Sequence, residues 1–256
     1  MRNLFDLTGR KAIVTGGVQG LGRAMAEGLH DNGCEVVIMD MNPNADGLVC
    51  DMGLAGASVR GVVCNLSDEA SLREGFAKSV DLLGGDLHIL VNNAGINLRK
   101  KLEDCETEEW QRVFAVNSTA PFLLTKLAAG IMKKNRYGKI INVASMLAFL
   151  GAVNNASYAA SKGSVLLQTR SFSNELAGCG ICVNAIAPGY FRTELNTPEK
   201  MLLIGEDFLN SINARIPMGR WGEPEDLRGT VVYLASAASD YVTGACINVD
   251  GGYLYR

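Results

Sequence analysis

A short apolar segment runs straight into a turn made largely of glycine, and a helix-like segment follows at once. The apolar segment is KAIVTG (11–16), and the turn TGGVQGLG (15–22) has glycines at positions 16, 17, 20 and 22. In such a strand–turn–helix unit, main-chain N–H groups and the helix dipole attract an anion, and missing side chains let it approach closely. The spacing differs from the common G-x-G-x-x-G fingerprint. The order of elements nevertheless predicts a binding site for the pyrophosphate of a dinucleotide.

Six further apolar segments alternate with helical patterns along the chain. They are EVVIMD (35–40), VRGVVC (59–64), LHILVN (87–92), GKIINVAS (138–145), CVNAIAP (182–188) and ACINVDGG (245–252). Continuous apolar strands are typical of a parallel sheet that helices cover on both faces. The βαβαβα order predicts an α/β fold, namely a Rossmann-type doubly wound parallel sheet of about seven strands with helices on both faces. We expect one domain over residues 1–256.

Two segments carry more local expectations. The segment 67–85 is predicted to form a helix that begins at Ser67 as its N-cap and ends at Gly84 and Gly85. Residues from about 195 to 217 interrupt the alternation of strands and helices. An inserted helix or loop at this point is a usual place for a substrate lid, and we predict one there.

Composition excludes several classes of partner. The chain has 256 residues, of which 48% are hydrophobic, enough for one large core. The net charge of -3 gives no basic surface of the kind that nucleic acids require. No apolar run reaches the roughly 18 residues of a membrane span. The first residues lack the apolar segment and cleavage site of a secretory signal, so a cytoplasmic location is expected.

The seven cysteines do not follow the spacing of a disulfide framework. Cys34, Cys64 and Cys246 lie in apolar contexts typical of small core residues. Cys179 and Cys182 have the spacing of a redox or metal pair, but no second pair exists and both histidines are distant in sequence. A turn followed by a buried strand is the simpler interpretation. We therefore predict neither a metal site nor a disulfide.

Asp40 ends the second predicted strand, twenty residues after Gly20. A carboxylate at this point can accept hydrogen bonds from both hydroxyls of the adenosine ribose, and it repels a 2′-phosphate. An ordinary turn aspartate is the alternative. Neither Gln19 nor Met41 is basic, so neither would neutralise a 2′-phosphate. The sequence therefore predicts NAD(H) rather than NADP(H) as the cofactor.

Six motifs, in order, resemble those of the short-chain dehydrogenase/reductase family. They are TGGVQGLG, NNAG (92–95), Asn117, Ser145, the Tyr158-x-x-x-Lys162 pair and PGYFRT (188–193). The resemblance covers essentially the whole chain. It implies an oxidoreductase that transfers hydride between a nicotinamide cofactor and a secondary alcohol or ketone. It also implies that Asn117, Ser145, Tyr158 and Lys162 are the catalytic residues.

The same resemblance implies a set of cofactor-binding residues. These are Gly16, Gln19, Gly20, Leu21, Gly22, Asp40, Asn65, Leu66, Asn92, Ala94, Gly95, Tyr158, Lys162, Pro188, Gly189, Phe191 and Thr193. Family members commonly have an aspartate beside the adenine where this chain has Asn65. The Asn65 side-chain oxygen is expected to accept a hydrogen bond from the adenine amino group instead. Main-chain groups at 188–191 and the Thr193 hydroxyl are expected to hold the nicotinamide carboxamide.

Tyr158 and Lys162 are four residues apart in NNASYAASKGSV (154–165), so they share one face of a helix. A phenol ordinarily titrates near pH 10. A nearby ammonium group and the positive nicotinamide of NAD⁺ both favour phenolate, so the pKa of Tyr158 is expected to move toward about 7 or 8. Tyr158 could then exchange a proton with the reacting oxygen. Ser145, at the end of the fifth strand, is expected to donate a hydrogen bond to that oxygen.

Asn117 belongs to a long helix-like segment, and Pro121 follows four residues later. Proline has no N–H and cannot bond the carbonyl of residue 117. We hypothesise a kink there, with the Asn117 carbonyl left free to hold a water molecule that relays protons to Lys162, as the resemblance implies.

Three further stretches of the sequence bear on the substrate. IINVASMLAFLG, APGYFRTELN and Arg220-Trp221-Gly222 resemble the branch of the family that includes gluconate 5-dehydrogenases and 2-deoxygluconate or 2-keto-3-deoxygluconate dehydrogenases. A sugar acid carries one carboxylate, which an arginine can bind through two hydrogen bonds. Arg99, after the fourth strand, is the preferred candidate, and Arg192 is the second. Ser145 would also contact the substrate.

Three alternatives stay open at this point. One is a 3-oxoacyl-thioester reductase, which Asp40 disfavours because such enzymes commonly use NADPH. The second is an NAD-dependent dehydrogenase of another polyol or sugar. The third is a cofactor-binding sensor without turnover, which would not need the complete catalytic set. The resemblance further implies a homotetramer in which the helices that carry Asn117 and Tyr158 pack against other copies.

Overall fold

The computed structural model describes residues 3–50, 59–193, 200, 202 and 205–256. Seven parallel strands form one sheet in the order β3-β2-β1-β4-β5-β6-β7. The strands are β1 (Lys11–Thr15), β2 (Glu35–Asp40), β3 (Val59–Val63), β4 (Ile89–Asn92), β5 (Gly138–Val143), β6 (Ile181–Pro188) and β7 (Cys246–Val249). All seven predicted strands are confirmed, and the architecture is the predicted Rossmann-type α/β fold.

Helices connect successive strands and cover the sheet. They are α1 (Gly20–Asp31), α2 (Ala45–Val49), α3 (Glu69–Leu82), α4 (Thr107–Phe114), α5 (Ala120–Asn135), α6 (Ala156–Leu176), α7 (Glu206–Arg215) and α8 (Arg228–Ala235). A π-helical turn, Ala115–Thr119, joins α4 to α5. Short 3-10 turns lie at Leu102–Asp104, Met146–Ala148, Ala177–Cys179, Pro224–Leu227, Ala237–Ser239 and Tyr253–Tyr255.

The start of α3 differs from the prediction. Asp68, not Ser67, is the N-cap, because the Asp68 carboxylate accepts a hydrogen bond from the Ser71 N–H at 2.7 Å. The Ser67 hydroxyl instead bonds Asn65. The end of the helix is as predicted: Gly84 and Gly85 take φ values of +70° and +83°, a region that glycine enters without steric cost.

The core lies on both faces of the sheet, as the continuous apolar strands predict. Val14 and Ile38 belong to a cluster shared with α1 and α8, whereas their neighbours Ile13 and Val37 belong to a second cluster shared with α3 and α5. Side chains of a strand point alternately to its two faces, so both faces must be apolar when helices cover both.

The cysteines fit the same picture. Cys34 and Cys64 are buried, as predicted, and burial raises the pKa of each thiol. Cys179 and Cys182 flank Gly180, whose φ of +78° makes the predicted turn into β6. Among the described residues, no helix has the length and apolar character needed to cross a membrane.

The strand order reverses its direction of winding between β1 and β4. The chain runs outward from β1 to β2 and β3, and then returns to β4 on the other side of β1. At such a switch point the loops beyond the carboxyl ends of the strands separate and leave a crevice. The glycine turn after β1 and the NNAG segment after β4 border this crevice.

Candidate active site

The glycine turn has the conformation that an anion site needs. Gly16 and Gly20 adopt φ values of +63° and +55°, which side-chain-bearing residues rarely take. A Cβ atom on Gly22 would overlap the Gly16 carbonyl oxygen and the Asn93 amide. Helix α1 begins at Gly20 without a side-chain cap and without acidic residues in its first turn. Its first N–H groups are therefore suited to a pyrophosphate, and the turn fits a dinucleotide.

Asn93 holds this turn in place, and the sequence interpretation did not single it out. Its side-chain amide donates hydrogen bonds of 2.9 Å to the carbonyl oxygens of both Thr15 and Gly16. The Thr15 hydroxyl accepts from the main-chain N–H groups of Asn93 and Ala94 at 3.0 and 3.1 Å. These bonds fix the glycine turn against the end of β4. The signal in the sequence is the doubled asparagine of NNAG, of which only the second can reach the turn.

Asp40 lies at the carboxyl end of β2, beside the glycine turn. One carboxylate oxygen accepts from the Asn42 N–H at 3.0 Å, and the other lies 3.4 Å from the Val18 N–H. These contacts orient the carboxylate next to the turn. Asp40 and the turn are thus brought together, as a site for the adenosine ribose and the pyrophosphate requires.

Two predicted cofactor contacts are not supported by the side-chain geometry. The Asn65 side-chain oxygen already accepts from the Ser67 N–H and the Ser67 hydroxyl, at 3.1 and 2.8 Å. A carbonyl oxygen has two lone pairs, so no acceptor capacity remains for an adenine amino group. The Asn92 side chain is 3% exposed and donates to Asn142 at 2.8 Å, between β4 and β5. The Asn92 side chain is a structural link inside the protein, so only its main chain could contact a cofactor.

Ser145 and Tyr158 come together although they lie on different elements. Ser145 follows β5 and its hydroxyl oxygen accepts from the Leu147 N–H at 3.1 Å. The Ser145 hydroxyl also shares a hydrogen bond with the Tyr158 phenol. The strand end and the first turn of α6 therefore place two hydroxyl groups at one point.

Lys162 is buried beneath this pair. Its side chain is 3% exposed, and its ammonium donates a 2.6 Å hydrogen bond to the Val143 carbonyl oxygen. The ammonium lies 5.8 Å from the centre of the Tyr158 ring. A Cβ atom on Gly95 would lie 3.5 Å from that ammonium and 3.3 Å from the Asn117 side-chain oxygen. Gly95 thus marks the place where NNAG meets the candidate catalytic residues.

In the protein alone, the pKa of Tyr158 does not fall; the predicted fall toward about 7 or 8 also includes the charge of a bound nicotinamide. Burial raises the pKa of this phenol above its ordinary value of 10, and the hydrogen bond from Ser145 opposes the rise. Burial also lowers the pKa of Lys162 to about 8. Loss of hydration disfavours both charged forms, and here it outweighs the attraction between them. The downward shift of the phenol therefore cannot come from Lys162 alone.

Asn117 locks three segments together. Its side-chain oxygen accepts from the Ile96 N–H at 2.8 Å, and its amide donates to the Ile96 carbonyl and the Ser161 hydroxyl at 2.9 and 3.0 Å. The helix is interrupted here by the π-helical turn, in which the Ala120 N–H bonds the Ala115 carbonyl. The sequence predicts a kink at this point, and the structure has a π-helical turn. Such turns often accompany functional sites. The water relay stays a prediction.

PGYFRT leaves the end of β6 and passes the same crevice. The Gly189 N–H bonds the Val249 carbonyl at 2.9 Å, and the Phe191 side chain is buried in the core. Only main-chain groups of Phe191 could therefore face a cofactor. Thr193 and Arg192 line a cavity of about 580 Å³ together with Gly20 and Arg23. The glycine turn, expected to hold the pyrophosphate, and Thr193, expected to hold the nicotinamide carboxamide, thus share a cavity.

The two candidate substrate cations lie in different surroundings. Arg192 forms an ion pair with Glu223 at 3.3 Å and lines the cavity beside the glycine turn. Arg99 is exposed, and its positive charge acts on the Tyr190 phenol at the end of β6. The neighbouring Lys100 pairs with Glu109 at 2.6 Å. The geometry thus separates Arg99, near the strand ends, from Arg192, beside the turn.

Comparisons with known proteins agree with this site. A family model described as enoyl-(acyl carrier protein) reductase matches residues 16–254. A 2-dehydro-3-deoxy-D-gluconate 5-dehydrogenase of Bacillus subtilis (strain 168) is 40% identical over 100% of this chain and 99% of its own. A 5-keto-D-gluconate 5-reductase of Escherichia coli (strain K12) is 38% identical over 99% of each chain.

A solved structure is similar over the same length. It is a gluconate 5-dehydrogenase from Burkholderia cenocepacia J2315 in complex with NADP and tartrate, with a TM-score of 0.91 and 36% identity, covering 99% of this chain and 98% of that one. Three observations point to one family. They are the sequence matches, the fold, and the meeting of Ser145, Tyr158 and Lys162 at one edge of the sheet. The chain belongs to the short-chain dehydrogenase/reductase family, whose members are NAD(P)-dependent oxidoreductases that act on CH–OH groups.

Proposed function

We propose that the protein is an NAD(H)-dependent dehydrogenase that interconverts a secondary alcohol and a ketone on a sugar acid. The observation that carries the proposal is the convergence of Ser145, Tyr158 and Lys162 at the carboxyl edge of the sheet, beside a glycine turn that fits a dinucleotide. A binding protein without turnover would have no need of this arrangement. The names of the relatives supply the class of substrate.

The roles of the residues follow from their contacts. The bound nicotinamide supplies or accepts the hydride. Tyr158 gives a proton to the ketone oxygen in reduction and takes one from the alcohol in oxidation. The Ser145 hydroxyl, whose oxygen is held by the Leu147 N–H, turns its hydrogen toward the same oxygen and stabilises developing negative charge there. Lys162 holds a positive charge beneath the phenol, and Asn117 fixes the main chain around Gly95.

NAD(H) is the proposed cofactor, although NADP is bound in the relative from Burkholderia cenocepacia. The Asp40 carboxylate beside the glycine turn would repel a 2′-phosphate, and residues 41–44, Met-Asn-Pro-Asn, offer no cation to offset it. Gly16, Gln19, Gly20, Leu21 and Gly22 would hold the pyrophosphate. Ala94 and Gly95, with the main chain at 188–191 and the Thr193 hydroxyl, would hold the nicotinamide end.

Helix α7 supports the proposed lid. The predicted segment 195–217 lies partly outside the described residues, but α7 falls within it and is described. Leu209 and Ile212 of α7 pack against Met146, which directly follows Ser145. A helix in this position would cover the reacting centre as part of the one domain, and closure would exclude water from the reaction.

A homotetramer is the proposed assembly. Three large apolar side chains on α4, α5 and α6 are exposed: Trp110 by 37%, Phe122 by 42% and Leu167 by 61%. These helices flank the residues Asn117 and Tyr158. Exposed apolar patches commonly mark protein contacts, and we expect these three side chains to contribute to the contact that the family resemblance implies for these helices. Light scattering would measure the mass of the assembly. A Phe122→Asp, Leu167→Asp double variant is expected to dissociate the tetramer. A monomeric wild type would contradict the proposal.

A substrate panel tests the function. NADH consumption is measured with 5-keto-D-gluconate, the diketo form of 3-deoxygluconate, neutral ketoses and an acetoacetyl thioester, each repeated with NADPH. Fast turnover of a keto sugar acid with NADH supports the proposal. Activity confined to the thioester with NADPH would overturn both the substrate and the cofactor assignments, in favour of a 3-oxoacyl-thioester reductase.

A further inference from the structure

Three aromatic side chains from distant parts of the chain meet beyond the end of β6. The Tyr190 ring lies 5.2 Å from the Trp221 ring and 5.5 Å from the Tyr253 ring, centre to centre. The phenol groups of Tyr190 and Tyr253 hydrogen-bond each other. Trp221 is fixed by a 2.8 Å hydrogen bond from its indole N–H to the Asn213 side chain on α7. The three rings therefore form a packed aromatic cluster supported by α7, in which Trp221 and Tyr253 are buried and Tyr190 is partly exposed.

This aromatic cluster borders the proposed reacting centre. Trp221 and Tyr253 pack in one apolar cluster with Met146, the residue after Ser145. Strands β5 and β6 pair side by side, with the Ala144 N–H bonded to the Ile186 carbonyl. The chain just beyond each strand, with Ser145 on one and Tyr190 on the other, thus emerges at the same edge of the sheet. A substrate whose reacting carbon lies at Ser145 could extend past Tyr190, the partly exposed member of the aromatic cluster, toward the exposed Arg215.

The Arg215 guanidinium stacks on this cluster, and the charge of a second guanidinium, Arg99, acts on it. Arg215, at the end of α7, stacks on the Tyr253 ring with its central carbon 4.3 Å from the ring centre. The positive charges of Arg99 and Arg215 both act on the Tyr190 phenol and oppose the effect of burial, which raises the pKa of Tyr190 to about 12. Tyr190 therefore stays protonated at neutral pH. The hydrogen bond between Tyr190 and Tyr253 uses one phenol hydrogen and leaves the other of the pair for a further acceptor. Arg99 and Arg215 are both exposed and supply positive charge at the edge of the cluster.

Arg215 differs from the other arginines near the site. Arg192 pairs with Glu223, and Arg220 pairs with Asp226 at 2.6 Å. Within the described residues, Arg215 takes part in no ion pair and stacks instead on the aromatic ring of Tyr253. Stacking on a ring holds the planar group in one orientation and leaves its edge N–H donors available for a carboxylate.

We propose that Arg215, with Arg99 and the Tyr190 phenol, forms a subsite that binds the carboxylate of the substrate, so that α7 selects acids over neutral polyols. The inference rests on the proposed function, because it names the charged end of the same substrate. Arg215 is a specificity-determining residue in this arrangement. Tyr253 is a positioning residue that acts through Arg215 and Tyr190.

Equilibrium binding tests the subsite without turnover. Calorimetry would compare D-gluconate with its neutral counterpart, D-glucitol, on the protein saturated with NADH. The variants are Arg215→Gln, Arg215→Lys, Arg99→Gln and Tyr190→Phe. Lys78→Gln, an exposed cation on α3, is the matched control. Arg215→Gln is expected to weaken gluconate binding about tenfold or more and glucitol binding less than about twofold. Arg215→Lys should restore part of the loss, because it keeps the charge but not the planar group.

The results separate the subsite from the proposed function. Equal losses for gluconate and glucitol, or no loss with either, would overturn the subsite, and a normal circular dichroism spectrum of Arg215→Gln excludes misfolding as the cause. Charge-selective binding without turnover of any keto sugar acid would support the subsite and overturn the proposed function. If Arg215→Gln turns over a keto sugar acid as fast as the wild type does, the proposed function is supported and the subsite is overturned. Failure of the wild type to bind gluconate would overturn the subsite.

Discussion

The Lys162 ammonium donates a 2.6 Å hydrogen bond to the Val143 carbonyl oxygen, two residues before Ser145. This bond ties α6 to the end of β5 inside the protein. Because Tyr158 lies one turn earlier on α6, the same bond sets the position of its phenol relative to the Ser145 hydroxyl. Lys162 thus fixes the distance between the Ser145 and Tyr158 hydroxyls, and it also has a role in the proposed reaction.

The buried Lys162 should leave a signature in the pH dependence of stability. Burial lowers the pKa of Lys162 from 10.5 to about 8. Between these values the unfolded chain binds more protons than the folded protein, so this group makes the free energy of unfolding rise with pH. Below about pH 8 both states are protonated and the contribution is constant. The difference in unfolding free energy between wild type and Lys162→Met, measured with denaturant, is expected to increase from pH 8 to 10. A flat or falling difference would contradict the buried ammonium.

Gly22→Ala should weaken cofactor binding. The new Cβ would overlap the Gly16 carbonyl and the Asn93 amide, so the glycine turn must shift away from Asn93. The dissociation constant of NADH, measured by fluorescence, is expected to rise about tenfold or more. Gly130→Ala on α5 is the control, because a Cβ there meets no atom within 4 Å. It should leave NADH binding unchanged and stabilise the helix by up to about 1 kcal/mol. Unchanged NADH binding in Gly22→Ala would show that the turn does not hold the cofactor.

The sheet could be predicted almost completely from the sequence, because its strands are continuous apolar segments between clear turns. The predicted bounds of β2 are those observed, and the other strands differ by a few residues at their ends. The N-cap of α3 could not be chosen from sequence alone. Ser67 and Asp68 are both good caps, and the choice depends on the turn in which Asn65 captures the Ser67 hydroxyl.

Asp40→Ser should change the cofactor preference. Removing the carboxylate removes the repulsion of a 2′-phosphate and the acceptor for the ribose hydroxyls. The ratio of kcat/KM with NADH to that with NADPH is expected to fall about tenfold or more. Asp81→Ser, an exposed carboxylate on α3, should leave the ratio unchanged. If Asp40→Ser keeps the wild-type ratio, Asp40 does not determine the preference.

Asn93→Ala should loosen the glycine turn. The substitution removes the donor that two carbonyl oxygens share, those of Thr15 and Gly16. Unpartnered carbonyls that are partly buried cost about 1–3 kcal/mol, so both the unfolding free energy and the affinity for NADH should fall. Asn135→Ala, which removes an exposed hydrogen bond to Asp86, should change neither by more than about 0.5 kcal/mol. Equal changes in unfolding free energy and NADH affinity in the two variants would show that Asn93 does not hold the glycine turn.

The site was predictable where a motif and a role coincide, and not where the role depends on packing. Asp40 and the glycine turn needed only their spacing. Asn92 and Asn93 are indistinguishable in NNAG, and the strand end decides which one points into the protein. The meeting of Tyr190 with Arg215 depends on how α7 and the chain end pack against β6, which no local pattern encodes.

The most direct test of the account is the turnover of 5-keto-D-gluconate with NADH by wild type and Tyr158→Phe. Wild type is expected to consume NADH, and Tyr158→Phe is expected to lower kcat by about 10² to 10⁴, because only the proton donor is lost. The dissociation constant of NADH should stay within about twofold of the wild-type value, because the aromatic ring remains. Wild-type kcat in Tyr158→Phe would contradict the role of this phenol, and with it the proposed active site.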